Sequence, residues 1–334
     1  MAALAHDEDA AVRTGVAPGL GLAVISAVSF GLSGPLAKAM LESGWTPAAA
    51  VTARILVAAL ALAPPALVAL RGRWGLLRQH LGLLASYGGI AIAGCQLAYF
   101  SAAQHMQVGV ALLIEYTAPV AVVGWMWLRH GHRPGRLTVA GAVVSAIGLV
   151  LVLDVIAGAH LSVVGVLWAL AAMGCVSTYF VLSAQNDTGL PPIVLAAGGL
   201  AVGAAGLLVA GLVGVVPLAA TTRPVTYQVG TVSWWVPVLA LGLVGAAVAY
   251  VAGIAASRLL GSRLASFVGL LEVLAALAFA WLLLAEVPRP IQLLGGLLVL
   301  AGVLVVKLGE GEPAPEHGPL STGRGSHEQR PVSS

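Results

Sequence analysis

Ten stretches of mostly apolar residues follow one another along the chain, at 18–40, 47–70, 81–103, 108–128, 136–155, 162–183, 191–216, 235–256, 262–284 and 290–308. A helix needs about 20 such residues to cross the hydrocarbon core of a bilayer, so each stretch predicts one membrane span. Most separators are short and carry turn residues, such as Gly44-Trp45-Thr46-Pro47 and Arg133-Pro134-Gly135. The connection from Pro217 to Trp234 is the longest. From Gly309 onward Pro, Gly, Ser, Glu and Arg dominate, and a tail with so little to bury is expected to be disordered.

Composition removes the alternatives to a membrane protein. Of 334 residues, 59% are hydrophobic and 9% charged, whereas a soluble domain carries about 25% charge. Mean hydropathy is +0.98. So little charge cannot cover a water-exposed surface, which excludes a soluble enzyme, a nucleic-acid binder and a disordered chain. Met1 to Asp9 has acidic residues where a signal peptide needs positive charge, so the first apolar stretch is expected to remain in the membrane. Cys95 and Cys175 sit in separate apolar stretches, which predicts neither a disulfide nor a zinc site.

Charge then sets the expected orientation. Arg13, Arg71, Arg73, Arg78, Arg129, Arg133, Arg136, Arg258, Arg263, Lys307, Arg324 and Arg330 fall on one predicted side. Only Lys38, Arg223 and Arg289 fall on or near the other, and Arg54 lies within a stretch. The positive-inside bias makes the first side cytoplasmic and both termini cytoplasmic, as an even number of spans requires. The same bias reads the His130 and His132 loop as a topogenic segment rather than a metal site.

A repeat organises the spans. A shift of 154 positions superimposes Trp127 on Trp281, Pro134 on Pro288, Gly141 on Gly295 and Gly148 on Gly302. The fourth and fifth stretches thus correspond to the ninth and tenth. A half with an odd number of spans must be inverted relative to its copy, an arrangement typical of secondary transporters with a site near the midplane. The expected fold class is all-α and polytopic, with ten transmembrane helices as two inverted five-helix repeats. Residues 1–17 form a cytoplasmic tail, 18–155 the first repeat, 162–308 the second and 309–334 a cytoplasmic tail.

Charges in hydrocarbon cost at least about 3 kcal/mol and should face a partner or a wet cavity. Arg54, Glu115 and Glu272 are the candidates. At 1.5 Å rise per residue, Arg54, Glu115 and Gln96 all lie about 10 Å below the outer face, and Tyr99 follows Gln96 one turn outward. Glu272 lies near the midplane. The shift carries Glu115 onto Gly269, almost one turn from Glu272, so the two acids belong to related faces. Pro119 follows and opens the helix near Glu115. Tyr116, Tyr179 and Tyr250 add hydroxyls and ring faces. Arg54 and Glu115 are open to two readings, a structural ion pair or contacts to substrate. Lys38 is near a helix end and is expected to snorkel. Either acid can change protonation state, and Glu272, with no cation expected at its depth, is the better proton carrier. No Ser-His-Asp set, metal-ligand cluster or phosphate loop is visible, so no enzyme chemistry, cofactor or ATP drive is expected.

Several segments now resemble one family in order. GLSGPLAKAM (31–40), LLIEYTAPVAV (112–122), VSTYFVLSAQ (176–185) and VGLLEVLAALAFAWLLLAEVPRPIQLLGG (268–296) resemble the EamA family of the drug/metabolite transporter superfamily, in particular its threonine/homoserine exporter branch. The resemblance covers roughly 17–308. It implies export of amino acids or related small polar metabolites across the bacterial inner membrane, by proton antiport or exchange. Carried over by motif, Glu115, Tyr116 and Glu272 line a central cavity; Arg54, Gln96, Tyr99 and Tyr250 join them on depth and side-chain chemistry. Val273 stands where the family usually has Pro after the ninth-helix Glu, so no kink is expected there. The alternatives are a multidrug or sugar-metabolite carrier of the same fold, and a non-transporting membrane enzyme or assembly subunit. Expected partners are a small-molecule substrate, membrane lipid and protons, with no nucleic acid; monomer and homodimer both remain open.

Overall fold

The computed structural model describes residues 2–117, 135–152, 162–183 and 188–309. Its helices are α1 (Ala2–Gly31), α2 (Ser33–Glu42), α3 (Pro47–Ala69), α4 (Gly75–Gln79), α5 (Leu81–Ser86), α6 (Cys95–His105), α7 (Val108–Glu115), α8 (Arg136–Val152), α9 (Val163–Ser183) and α10 (Pro192–Leu212), followed by α11 (Trp235–Gly242), α12 (Ala249–Gly269), α13 (Leu271–Leu284) and α14 (Pro290–Gly309). Two π-helical stretches, Tyr87–Gly94 and Leu243–Val248, join α5 to α6 and α11 to α12.

Among the described residues, six helical segments are long and apolar enough to cross a bilayer: Ala17–Glu42, Pro47–Ala69, Leu81–His105, Val163–Ser183, Pro192–Leu212 and Trp235–Gly261. Arg136–Leu151, Leu271–Leu284 and Pro290–Val306 are shorter apolar helices. Leu60, Leu67, Val209 and Leu297 stand more than half exposed on these helices, which suits lipid and not water. The chain is thus a multi-pass helical membrane protein. The rest of the fourth stretch, Pro119, the His130 and His132 loop and the tail after Gly309 lie outside the described residues.

Local sequence explains the helix ends. Pro47 occupies the first turn of α3, where its missing N–H costs nothing, and Thr46 caps it by accepting the Ala49 N–H at 3.3 Å. Thr46 also donates to the Pro217 carbonyl at 2.6 Å, and its backbone N–H donates to Ala219 at 2.9 Å. The long connection is therefore anchored to the start of α3. It is not irregular throughout, as the all-α reading has it. Val225–Tyr227 (β1) and Gly230–Val232 (β2) pair antiparallel, with Val225 opposite Val232 and Gly230 at φ +136° in the turn. Val225 and Tyr227 point inward; the Tyr227 hydroxyl donates to Leu36 at 3.2 Å and Gln228 N–H to Leu283 at 2.8 Å. Burial pushes the Tyr227 hydroxyl pKa up, which keeps it a donor. The hairpin lies across one end of the bundle.

Two close packings use the repeated glycines. α8 and α14 run antiparallel in close contact. A Cβ on Gly141 would lie 2.7 Å from the Gly302 carbonyl, and one on Gly148 2.6 Å from the Gly295 carbonyl. Positions related by the 154 shift therefore meet crosswise, each glycine admitting the other helix's backbone. Gly302→Ala is expected to cost about 1–3 kcal/mol, because its methyl meets the Ser145 backbone, which cannot yield as a side chain can. Thermal melting in detergent measures this; an unchanged midpoint would remove the close packing.

The same shift carries 87–94 onto 241–248, so the second π-helical stretch falls within the counterpart of the first. Gly88 packs on Gly199 and Gly203 of α10, and Gly242 on Val57 and the Arg54 carbonyl of α3. The Gly199-x-x-x-Gly203 pair thus serves packing inside this bundle. Leu270, itself in right-handed helical conformation, separates α12 from α13, which leaves Glu272 in the first turn of α13.

Candidate functional site

Arg54 is the largest fully buried side chain, at 0% exposure. One guanidinium nitrogen donates to Gln96 Oε1 and the other to the Gly245 carbonyl in the second π-helical stretch. Phe30 and Phe100 rings flank the guanidinium carbon at 6.0 and 5.6 Å. A single cation thus joins α3, α6 and the 243–248 stretch.

An Arg54–Glu115 ion pair, one of the two readings open from the sequence, is not found among the described residues. The salt bridge found among the described residues joins Lys38 and Glu286 instead. Glu115 Oε1 accepts from the Cys95 thiol at 3.5 Å, and Oε2 has no partner although Glu115 is 5% exposed. Cys95 and Gln96 are consecutive in α6, about 100° apart around its axis. One contacts Glu115 and the other Arg54, and both line the same cavity. Equal depth did not mean equal direction.

Glu115, Tyr116 and Glu272 come together. The Tyr116 hydroxyl donates to Glu272 Oε2 at 2.7 Å, linking α13 to the residue after α7. Both acids, Tyr116, Gln96 and Tyr250 line one cavity of about 40 Å³. A water needs roughly 10–15 Å³ on this measure, so the cavity takes a few waters and an amino acid only after it widens. Tyr250 presents its ring edge-on to Phe30 at 4.9 Å and to Tyr179 at 5.8 Å.

Arg54 and Tyr99 stand behind the wall. Tyr99 is 4% exposed and packs its hydroxyl against Gly34 of α2, where only a glycine leaves room. Among the lining side chains that the residue-by-residue reading missed are Ser26, Phe30, Cys95 and Ser257. Ser26 donates to the Ala249 carbonyl at 2.8 Å and Ser257 Oγ is unpartnered. Ser26 carried a signal, a polar residue in an apolar stretch, but serine is too common in membrane helices to stand out, and Ser257 fell in the separator after the eighth stretch.

A second polar contact closes the end of the bundle that carries the hairpin. Lys38 and Glu286 are 2.5 Å apart with side chains 17% and 15% exposed. Lys38 also donates to the Met106 carbonyl at 3.0 Å, and Glu286 accepts the Val108 N–H at 3.2 Å. The α2 end, the α6–α7 link and the α13–α14 link therefore meet at one ion pair, where the sequence predicted a snorkelling lysine. Among the described residues no group of three His, Cys, Asp or Glu is placed to hold a metal ion.

The comparisons with known proteins point one way. The model of the EamA-like transporter family matches residues 17–154 and 163–308. A probable terminal-alkyne amino-acid exporter of Streptantibioticus cattleyicolor is 28% identical over 294 residues, which is 85% of this chain and 91% of that one. A crystal structure titled only as that of a protein has 23% identity and a TM-score of 0.57, over 86% of this chain and 98% of its own, and supports the fold alone.

Proposed function

We propose amino-acid export from one premise: the chain belongs to the EamA-like transporter family. It is a membrane transporter and not an enzyme. In our reading it carries a small amino acid or related polar metabolite out across the bacterial inner membrane. Ten spans form two inverted five-helix repeats, 18–155 and 162–308, with both termini in the cytoplasm. The crosswise glycines and the paired π-helical stretches support the inversion, because an inverted repeat brings equivalent positions together around one axis. In this orientation the hairpin and the Lys38–Glu286 pair close the outer mouth.

The observation that carries the reading is the meeting of Glu115, Tyr116 and Glu272 at a cavity within an apolar bundle. Acids are kept in such a place when they handle ions or cargo. Cargo meets these acids, and export is coupled to protons that the same acids take up and release. Glu272 is the proposed exchange site, since its carboxylate is held by a hydroxyl and not by an ion pair.

Two measurements test this. Comparison of extracellular metabolites between an overexpressing strain and a deletion strain is expected to show an amino acid accumulating outside only on overexpression. In proteoliposomes loaded with that amino acid, a pH gradient is expected to drive wild-type flux and to leave Glu272→Gln flux unaffected. An unchanged pH response in the variant removes Glu272 from proton exchange; no metabolite difference removes the export reading.

A further inference from the structure

We infer that the cavity recognises its cargo by a primary ammonium group and leaves a cargo carboxylate unread, so that small apolar amines are cargo on the same footing as amino acids. This rests on the export reading and names what the site selects.

The charged side chains among the described lining residues are Glu115 and Glu272, both acids. No described lining residue is a Lys or Arg. Among the described residues the fully buried cation, Arg54, is not part of the lining, and its terminal nitrogens are engaged by Gln96 and Gly245. An amino acid's carboxylate entering this space meets like charge without a cation to pair with, and like charges in a low dielectric repel strongly. Its ammonium meets the opposite case.

Unmade hydrogen bonds point to the same group. Glu115 Oε2 is an unpartnered acceptor, and Ser257, at 1% exposure, has an unpartnered Oγ on the same cavity. A buried polar atom without a partner is costly, and such atoms in a cavity mark where a ligand's groups go. An ammonium brings N–H donors and no acceptor, which matches carboxylate and hydroxyl oxygens. The remaining wall, including Ala27, Phe30, Val176 and Phe180, is apolar and suits a short hydrocarbon tail.

Matched ligands test this on the purified full chain in detergent by titration calorimetry. L-valine, isobutylamine and isovalerate share one tail and differ in which charged group they keep; propargylglycine, 3-butyn-1-amine and 4-pentynoate form a second set. The amine is expected to bind within about threefold of the amino acid, and the deaminated acid at least about tenfold more weakly. Glu115→Gln, its fold checked by melting, is expected to weaken amine and amino acid alike by about tenfold. The wild-type comparison stands even if that variant does not fold.

Amino-acid binding with no amine binding overturns the inference and leaves the export reading intact, since the carboxylate is then the recognised group. Equal binding of the deaminated acid overturns it too. So does binding of no member of either set by a chain that still exports in the metabolite comparison. A negative metabolite comparison beside tight amine binding overturns the export reading instead.

Discussion

Arg54→Ala is expected to destabilise the folded protein by about 3–5 kcal/mol, the largest loss from any single substitution considered. The guanidinium is wholly buried and its terminal nitrogens serve two separate helices. Truncation removes a charged donor from Gln96 Oε1 and from the Gly245 carbonyl, which is left with the Ser33 hydroxyl at 3.4 Å, in a region that water reaches poorly. It also opens a void between Phe30 and Phe100. Hydrogen bonds to a charged group contribute about 1.5–3 kcal/mol each, and the void adds its own cost. Arg54→Lys keeps the charge, but one ammonium lacks the planar fork that reaches both acceptors, so an intermediate loss is expected. Thermal melting and size exclusion in detergent measure both variants. A wild-type melting point for Arg54→Ala would show that the two contacts do not hold the three elements together, and a cargo role for Arg54 would then return.

The sequence carried the multi-pass helical character, with six helices long and apolar enough to cross a bilayer among the described residues, because hydrocarbon demands long apolar runs whatever else the chain does. It also carried Gly141, Gly148, Gly295 and Gly302, which stand where the backbones of α8 and α14 touch. Partnership between the buried polar groups was less legible. Depth along a helix follows from counting residues, but direction around it depends on how the helix is rotated and packed. Counting puts Arg54 and Glu115 at one depth, but they contact adjacent residues of α6, Gln96 and Cys95, about 100° apart around its axis, so a shared depth did not decide whether they pair. Glu115 and Glu272 line one cavity although counting residues put them at different levels. The hairpin had a period-two signal, with Val225 and Tyr227 inward and Thr226 outward, but two strands of three residues are too short to stand out from a loop.

Lys38→Glu is expected to reduce export by at least about tenfold, and Lys38→Glu combined with Glu286→Lys to recover most of it. The single change sets two carboxylates where an ammonium and a carboxylate now stand 2.5 Å apart. Their repulsion acts on three connections at once, through Met106 and Val108 as well as Glu286. Side chains this little exposed are screened poorly, so the contact exceeds an ordinary surface pair. A carrier that cannot seal one mouth leaks its gradient and loses coupling. Cys95 reports the sealing directly, since its thiol lines the cavity and is 4% exposed. In a Cys175→Ser background, a membrane-impermeant maleimide added outside cells is expected to spare Cys95 in the otherwise wild-type chain, to label it in Lys38→Glu, and to spare it again in the exchanged pair. Recovery by the exchange separates a latch from a folding defect, because a mere loss of fold is not repaired by a second charge reversal. Equal labelling of all three proteins would mean that the ion pair does not govern access. Protection from outside combined with labelling from everted vesicles in Lys38→Glu alone would place the latch on the cytoplasmic face and invert the proposed orientation.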